Sequence, residues 1–419
     1  MFLHRTDCRP MRGVAVGAQF RGGVVQGSRV CLPDGSVRKI EEVVEDRFPV
    51  LSYSKEWDTR PVKYGANQGP RDHSVGELVP VVPSAWVGAI NCEAFSIRFV
   101  SGRVIEAGRD QRWVTQRRKG RQAWEWKQTH ALEPGDRVPF PLVAAHFGAD
   151  GSAREGYFVG AMLGDGGMTS CTPEFHGDPR DGVVEFMRNF AVDHGCGVRE
   201  IPQGVIVRLR FPFRAGQRNP VTDLLRRYGV WGQRCDRKAL PSTPLSRDFW
   251  IGCLSGLIDT DGCVRERVNP RGTAHGSVEY ATVSPELAAQ VSDVLLRLGV
   301  ANRLRTDQRR ESGDRSINGY PVGLRRPIHI VEVSRATALV RLAGLLDLQI
   351  GYKARRLERL ARVVGHVVSA CSEMHGYDPT LALDRVKSVV SVGSRPVYGV
   401  AASPSGLFVV NGLVTGAVE

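Results

Sequence analysis

No apolar run among these 419 residues is long enough to span a bilayer. The start, Met1-Phe-Leu-His-Arg, runs into charged residues rather than the apolar core of a secretory signal. The nine cysteines are scattered, with no C-x-x-C pair and no histidine/cysteine cluster at zinc spacing. They read as reduced thiols, and a structural zinc is not expected. These absences point to a soluble, cytoplasmic protein. Acidic side chains are also in deficit: Asp plus Glu number 44 against 57 Lys plus Arg, for a net charge of +13. Such a surplus favours polyanionic partners but does not by itself identify one. The chain exceeds the usual size of a single hydrophobic core, so two or more domains are expected.

One pattern occurs twice. Phe158-Val-Gly-Ala-Met-Leu-Gly-Asp165-Gly-Gly and Leu254-Ser-Gly-Leu-Ile-Asp-Thr-Asp261-Gly are short apolar runs that break at an acid followed by glycine. In each copy two glycines stand four apart, Gly160 with Gly164 and Gly252 with Gly256. Residues at that spacing share a helix face, and glycine there admits another helix backbone. The glycine after each acid suits a left-handed helix stop. Each stretch is therefore expected to be a packing helix that delivers an aspartate at its C-terminal tip. The helix dipole repels a carboxylate at that end, and two such tips side by side also repel each other. A divalent cation, Mg²⁺ or another hard ion, would relieve both penalties.

The pair resembles the LAGLIDADG (DOD-type) homing endonucleases. Leu254–Gly262 differs from the motif of that name only at Ser255 and Thr260, and Leu-Gly-Asp-Gly-Gly is a common variant ending. The resemblance implies an α+β nuclease of two pseudo-symmetric halves, with Asp165 and Asp261 as catalytic metal ligands. Asp259 is matched by Leu163 in the first copy, so it is expected to cap or pack. Lys238, in Arg237-Lys238-Ala-Leu-Pro241, matches a lysine that the family keeps near its active site. Lys353 resembles part of the closing helical segment and is given no catalytic role.

Each motif is followed by similar material. A helix is expected from about Gly182 to His194. After it, Val207, Leu209 and Phe211 alternate with Arg208 and Arg210, the period of a half-buried strand. In the second half Ser284-Pro285 opens a helix that stops at Gly299, and Asn302–Arg305 starts another basic strand. In the family such strands form saddles whose concave faces lie on double-stranded DNA, at a long specific target. Arg208, Arg210, Arg303, Arg305, Arg309 and Arg310 are the candidates for that face.

The flanks resemble the splicing (Hint) domain of an intein. Gly27–Val43 resembles its first block, Phe48–Tyr53, Ser101–Ile105 and Leu132–Val138 continue the likeness, and Arg395–Tyr398 and Gly406–Val414 resemble its last blocks. The implied organisation is an N-terminal extension (1–22), an all-β Hint-like unit in two parts (23–145 and 366–419), and a nuclease (146–365) inserted between them. Splicing needs a thiol or hydroxyl at the first position. With Gly35 as the turn glycine that position falls on Gly23. The amide-polarising histidine is replaced by Gln111, and the terminal His-Asn pair by Gly416 and Ala417. Cys31 would serve as a nucleophile only in a shifted register. Arg117, Arg118 and Lys119, on a basic stretch with Trp124 and Trp126, are expected either to touch DNA phosphates or to decorate a solvated hairpin.

The reading is a monomeric, metal-dependent, site-specific DNA endonuclease on an inactive intein-like scaffold that requires no protein partner. The alternatives are a non-cleaving DNA-binding protein on the same fold, and a self-splicing intein that uses Cys31. The survival of both aspartates favours the first.

Overall fold

The structure is a computed structural model. It describes residues 22–417 apart from 56, 58–74, 117–123, 143–145, 269–273, 309–315, 318–319, 322–325, 373–379 and 402–405. The chain folds as an α+β body inserted into an all-β unit.

The β unit takes strands from both ends of the chain. Its seven-stranded sheet runs in the order Val24–Val25, Val104–Gly108, Ala85–Phe99, Leu381–Ala401, Arg137–Pro141, Arg112–Gln116, Trp124–Gln128. The long strands Ala85–Phe99 and Leu381–Ala401 pair antiparallel across three register shifts, and such bulges bend a strand and increase its twist. A second sheet joins Leu413–Gly416, Leu407–Val410, Arg29–Cys31 and Val37–Lys39. Gly35 turns the last hairpin at φ +85°, and helix α1 (Ile40–Glu45) follows. Asn411-Gly412 joins Leu407–Val410 to Leu413–Gly416 with both residues at positive φ, as a two-residue hairpin turn requires. Trp113 and Trp124 are buried in the β unit, while Arg117, Arg118 and Lys119 lie outside the described residues.

The inserted body repeats one plan. Its first half holds α2 (Ala153–Asp165), α3 (Gly182–Asp193) and α4 (Pro220–Arg227). Its second holds α5 (Arg247–Asp261), α6 (Pro285–Arg297), α7 (Ala336–Ala343) and α8 (Gly351–Ser372), the last running past residue 365. Each half has a four-stranded antiparallel sheet. The first is ordered Gly166–Gly167, Glu174–Gly177, Ile206–Arg210, Arg199–Gln203, and the second Gly262–Val268, Ala274–Thr282, Ile328–Val333, Arg303–Asp307. Both sheets have the chain order first, second, fourth, third, which makes the halves pseudo-symmetric.

The two motif helices, α2 and α5, pack against each other at the centre. Ser152 caps α2 in a reciprocal capping box with Glu155, and Ser246 accepts from the Phe249 amide at the start of α5. Gly156–Leu163 are all buried, the mark of a helix enclosed on every side. A Cβ at Gly160 would lie 2.1 Å from the Cys253 carbonyl oxygen, and one at Gly256 2.3 Å from that of Tyr157. The contact is therefore backbone on backbone. The symmetric glycines are Gly156 and Gly160 opposite Gly252 and Gly256, since Gly156 meets Phe249 O and Gly252 meets Ala153 O. Gly164 instead faces the Thr260 side chain.

The expected left-handed stop is corrected. Gly166 (φ −85°, ψ 142°) and Gly262 (φ −93°, ψ 158°) are extended and begin strands. Their need for glycine is steric, because a Cβ would lie 2.4 Å from Met162 O and 2.5 Å from Ile258 O respectively.

The insert and the β unit share one continuous hydrophobic core. Arg29 pairs with Asp293 at 3.0 Å, Arg297 donates to Gly35 O at 2.8 Å, and the Leu304 amide donates to Ser101 O at 2.6 Å.

Candidate nuclease site and splicing corner

Asp165 is the last residue of α2 and Asp261 the last of α5. The packed helices bring the two tips together with both carboxylates open to solvent on one side. Protein on the inner side raises the pKa of each. Enclosure comes first for Asp261, then the charge of Asp165, and its pKa is pushed up to about 6. Asp165 is raised by the same enclosure, against the pull of Lys238, Lys353 and His176.

Lysines seat on the helix ends. Lys238 Nζ donates to Leu163 O (2.5 Å) and Gly164 O (2.8 Å) at the end of α2. Lys353 Nζ donates to Ile258 O (3.0 Å) and Asp259 O (2.6 Å) at the end of α5. A cation on the last carbonyls of a helix answers both its unpaired acceptors and its dipole. Burial lowers both lysine pKa values, opposed by the neighbouring aspartates. Reading Lys353 as an ordinary residue of the closing helix missed this position. The lysines are 115 residues apart and the aspartates 96, so no constant sequence offset relates them. Lys353 stands in the second half where Lys238 stands in the first.

Asp259 is buried and packs locally. It accepts from Tyr157 Oη at 2.6 Å, from Gln349 N at 2.7 Å and from Ile350 N at 3.3 Å.

The saddle faces follow from strand register. On Ile206–Arg210, Val207 and Leu209 face the core. Arg208 and Arg210 share the opposite face with their register partners His176 and Glu174, and Arg210 lies 3.8 Å from Glu174. The Nε donors of both arginines are shielded and have no hydrogen-bond partner. In the second half Arg303 and Arg305 share a face with Arg265, which the alternation argument had not singled out. Arg265 and Arg305 pair with Glu279, and Arg305 also with Glu332. Arg303 is exposed. Arg309 and Arg310 lie outside the described residues.

Residues 248–343 match the family model described as a LAGLIDADG-like domain. RecA proteins of Mycobacterium bovis and Mycobacterium tuberculosis are 28% identical over 342 residues, 76% of this chain and 39% of theirs. The chain thus spans about two fifths of the length of these curated relatives. A solved LAGLIDADG meganuclease, I-AabMI bound to uncleaved DNA, aligns at 13% identity over 52% of this chain and 92% of its own, with a TM-score of 0.35. A Ssp DnaB mini-intein variant aligns at 8% identity over 95% of this chain and 99% of its own, with a TM-score of 0.31.

Asp165 and Asp261 offer hard oxygen donors suited to Mg²⁺, and among the described residues no group of three His, Cys, Asp or Glu converges. Two carboxylates fit that ion, which keeps several waters and takes phosphate oxygens as further ligands.

In the β unit Gly23, Gln111 and Gly416, the positions expected from the intein resemblance, meet at one corner. Gln111 Oε1 accepts from Gly23 N at 2.6 Å, and Gln111 Nε2 donates to Thr415 Oγ1 (2.7 Å) and Gly416 O (2.6 Å). Ala417 N donates to Gly406 O at 2.7 Å. Gly23 has φ +93°, and a Cβ there would lie 2.6 Å from Tyr398 O. Cys31 lies within a paired strand, and burial pushes its thiol pKa up. Among the described residues no helix is long and apolar enough to cross a membrane.

Proposed function

We propose that the chain is a site-specific double-strand DNA endonuclease that acts as a monomer and cuts one phosphodiester on each strand. The observation that carries this reading is the meeting of two carboxylates at adjacent helix tips, each tip capped by its own lysine. Folding gains nothing from such an arrangement of acids, because the dipoles and the like charge both oppose it. A divalent cation, Mg²⁺ in the first instance, would be held by Asp165 and Asp261 and would activate water and stabilise the leaving oxygen. Lys238 and Lys353 orient water and offset the charge of the phosphate. Arg208, Arg210, Arg265 and Arg303 hold backbone phosphates over the saddles, on the strand faces they share.

The β unit in this reading is a scaffold without splicing activity. An acyl shift requires a thiol or hydroxyl, and Gly23 supplies neither. Asparagine cyclisation has no asparagine at Gly416-Ala417 to begin from. Cys31 would attack as the thiolate, a form that burial opposes. The protein is read as cytoplasmic, in reach of DNA.

The test incubates purified full chain with Mg²⁺ and plasmids carrying DNA from its own genomic neighbourhood. Linear product at a fixed position is the expected result. Specific binding without cleavage, in Mg²⁺ and in Mn²⁺, would replace this reading with that of a non-cleaving DNA-binding protein.

A further inference from the structure

The two motif helices superimpose in sequence at an offset of 96, and the offset exposes one asymmetry. Asp259 of α5 stands where α2 has Leu163. The Asp259 carboxylate is only 1% exposed and is fully engaged by the Tyr157 hydroxyl and the amides of Gln349 and Ile350. Those amides begin the turn that leads into α8, where the Lys353 amide donates to Ile350 O at 2.9 Å. A carboxylate there answers unpaired amides and favours the helix dipole. Ser255 Oγ adds a bond from the Asp347 amide at 3.0 Å. The same segment therefore carries Lys353 and is tied through Asp259 to both motif helices. In the first half Leu163 has no such group. Lys238 rides instead on an irregular segment, held through its carbonyl by Ser284 Oγ at 2.6 Å.

We propose that Asp259 and Tyr157 are positioning residues for Lys353, so that the two DNA strands are cut by differently supported centres and only one depends on this network. The inference rests on the endonuclease reading. The Asp259 carboxylate fixes the first turn of α8, and the turn fixes the ammonium over the end of α5. Asp259→Asn keeps the shape, removes the charge and weakens the hold on the two amides. Tyr157→Phe removes one donor and leaves the helix packing intact.

The experiment uses supercoiled plasmid that the wild-type protein linearises, with strand-specific end labels. Asp259→Asn is expected to accumulate nicked circles with the nick confined to one strand, the other strand slowing on the order of 10–100-fold. Tyr157→Phe should show the same strand bias at smaller size. DNA affinity measured with Ca²⁺, and cutting of the favoured strand, should stay near wild type, which separates lost positioning from lost folding. Equal slowing of both strands in both variants, or unbiased linearisation by both, overturns the inference while leaving the endonuclease reading intact. A wild-type protein that binds but cuts neither strand overturns the endonuclease reading, and this inference with it.

Discussion

The helix tips and the splicing corner are two places where a chain can do covalent chemistry, and they are built in opposite ways. At the tips, carboxylates sit where the helix dipole and each other's charge disfavour them, and burial raises both of their pKa values. At the corner, a neutral amide has every bond it needs: Gln111 joins Gly23 to Thr415 and Gly416 and leaves no charge behind. Stored electrostatic cost marks a site poised for a ligand. A saturated set of neutral hydrogen bonds marks a joint.

The comparison breaks most visibly at the tips. If the proposed reading holds, Asp165→Asn and Asp261→Asn each remove a hard ligand worth several kcal/mol to the transition state. Cleavage of at least one strand should fall on the order of 10³-fold while DNA binding in gel shifts persists. Full linearisation by either variant would remove the aspartates from the site.

The helix contact that brings the tips together should be nearly as sensitive. Gly160→Leu places side-chain atoms against the Cys253 carbonyl, which as backbone cannot give way. About 3 kcal/mol or more should be lost by overpacking, seen as a drop of roughly 3–5 °C in the melting temperature. A melt unchanged within a degree would refute the close backbone approach.

On the saddle, the double change Arg208→Ala with Arg210→Ala should flatten the log–log salt dependence of DNA binding by about 1–2. Sharing of Arg210 with Glu174 sets the lower end of that range. An unchanged slope would put these arginines on a face that DNA does not touch.

Asp261 offers a subtler test. Its folded pKa of about 6 lies above the ordinary carboxylate value. Folding therefore favours the protonated form, and stability falls as the pH rises through 6. Asp261→Asn should stabilise the protein in metal-free buffer at pH 8 by on the order of 1 kcal/mol after allowance for its solvent exposure. The gain should vanish well below pH 3.8, the ordinary aspartate value, where the carboxyl is protonated whether folded or not. Urea melts at the two pH values measure it, and equal effects at both would mean the carboxylate is unstrained. At the corner the expected effect is none: intact mass spectrometry of fresh protein, with and without thiol, should give one full-length species. Thiol-dependent fragments beginning at Cys31 would show that the corner is a working splicing site.

Local pattern made much of this legible. Ser284-Pro285 and Gly299 bracket α6 as the capping rules require, and the alternation of Val207, Leu209 and Phe211 with Arg208 and Arg210 holds on its strand. Sequence alone also fixed the repeated acid at a helix end, because an apolar run with glycines four apart and a terminal Asp-Gly has few other ways to fold. It could not say how those ends are relieved. That Lys353 answers α5 as Lys238 answers α2, that Asp259 ties α8 to Tyr157, and that Arg265 and Arg305 share Glu279 all rest on contacts between residues far apart in the chain. Nor could it say that Gly166 and Gly262 are glycine for want of space and not for a left-handed turn, since the φ of a residue depends on the strand it enters. Spacing within a helix is a property of the backbone repeat and can be read from the sequence. Which charge lies beside which is a property of packing, and only the folded chain decides it.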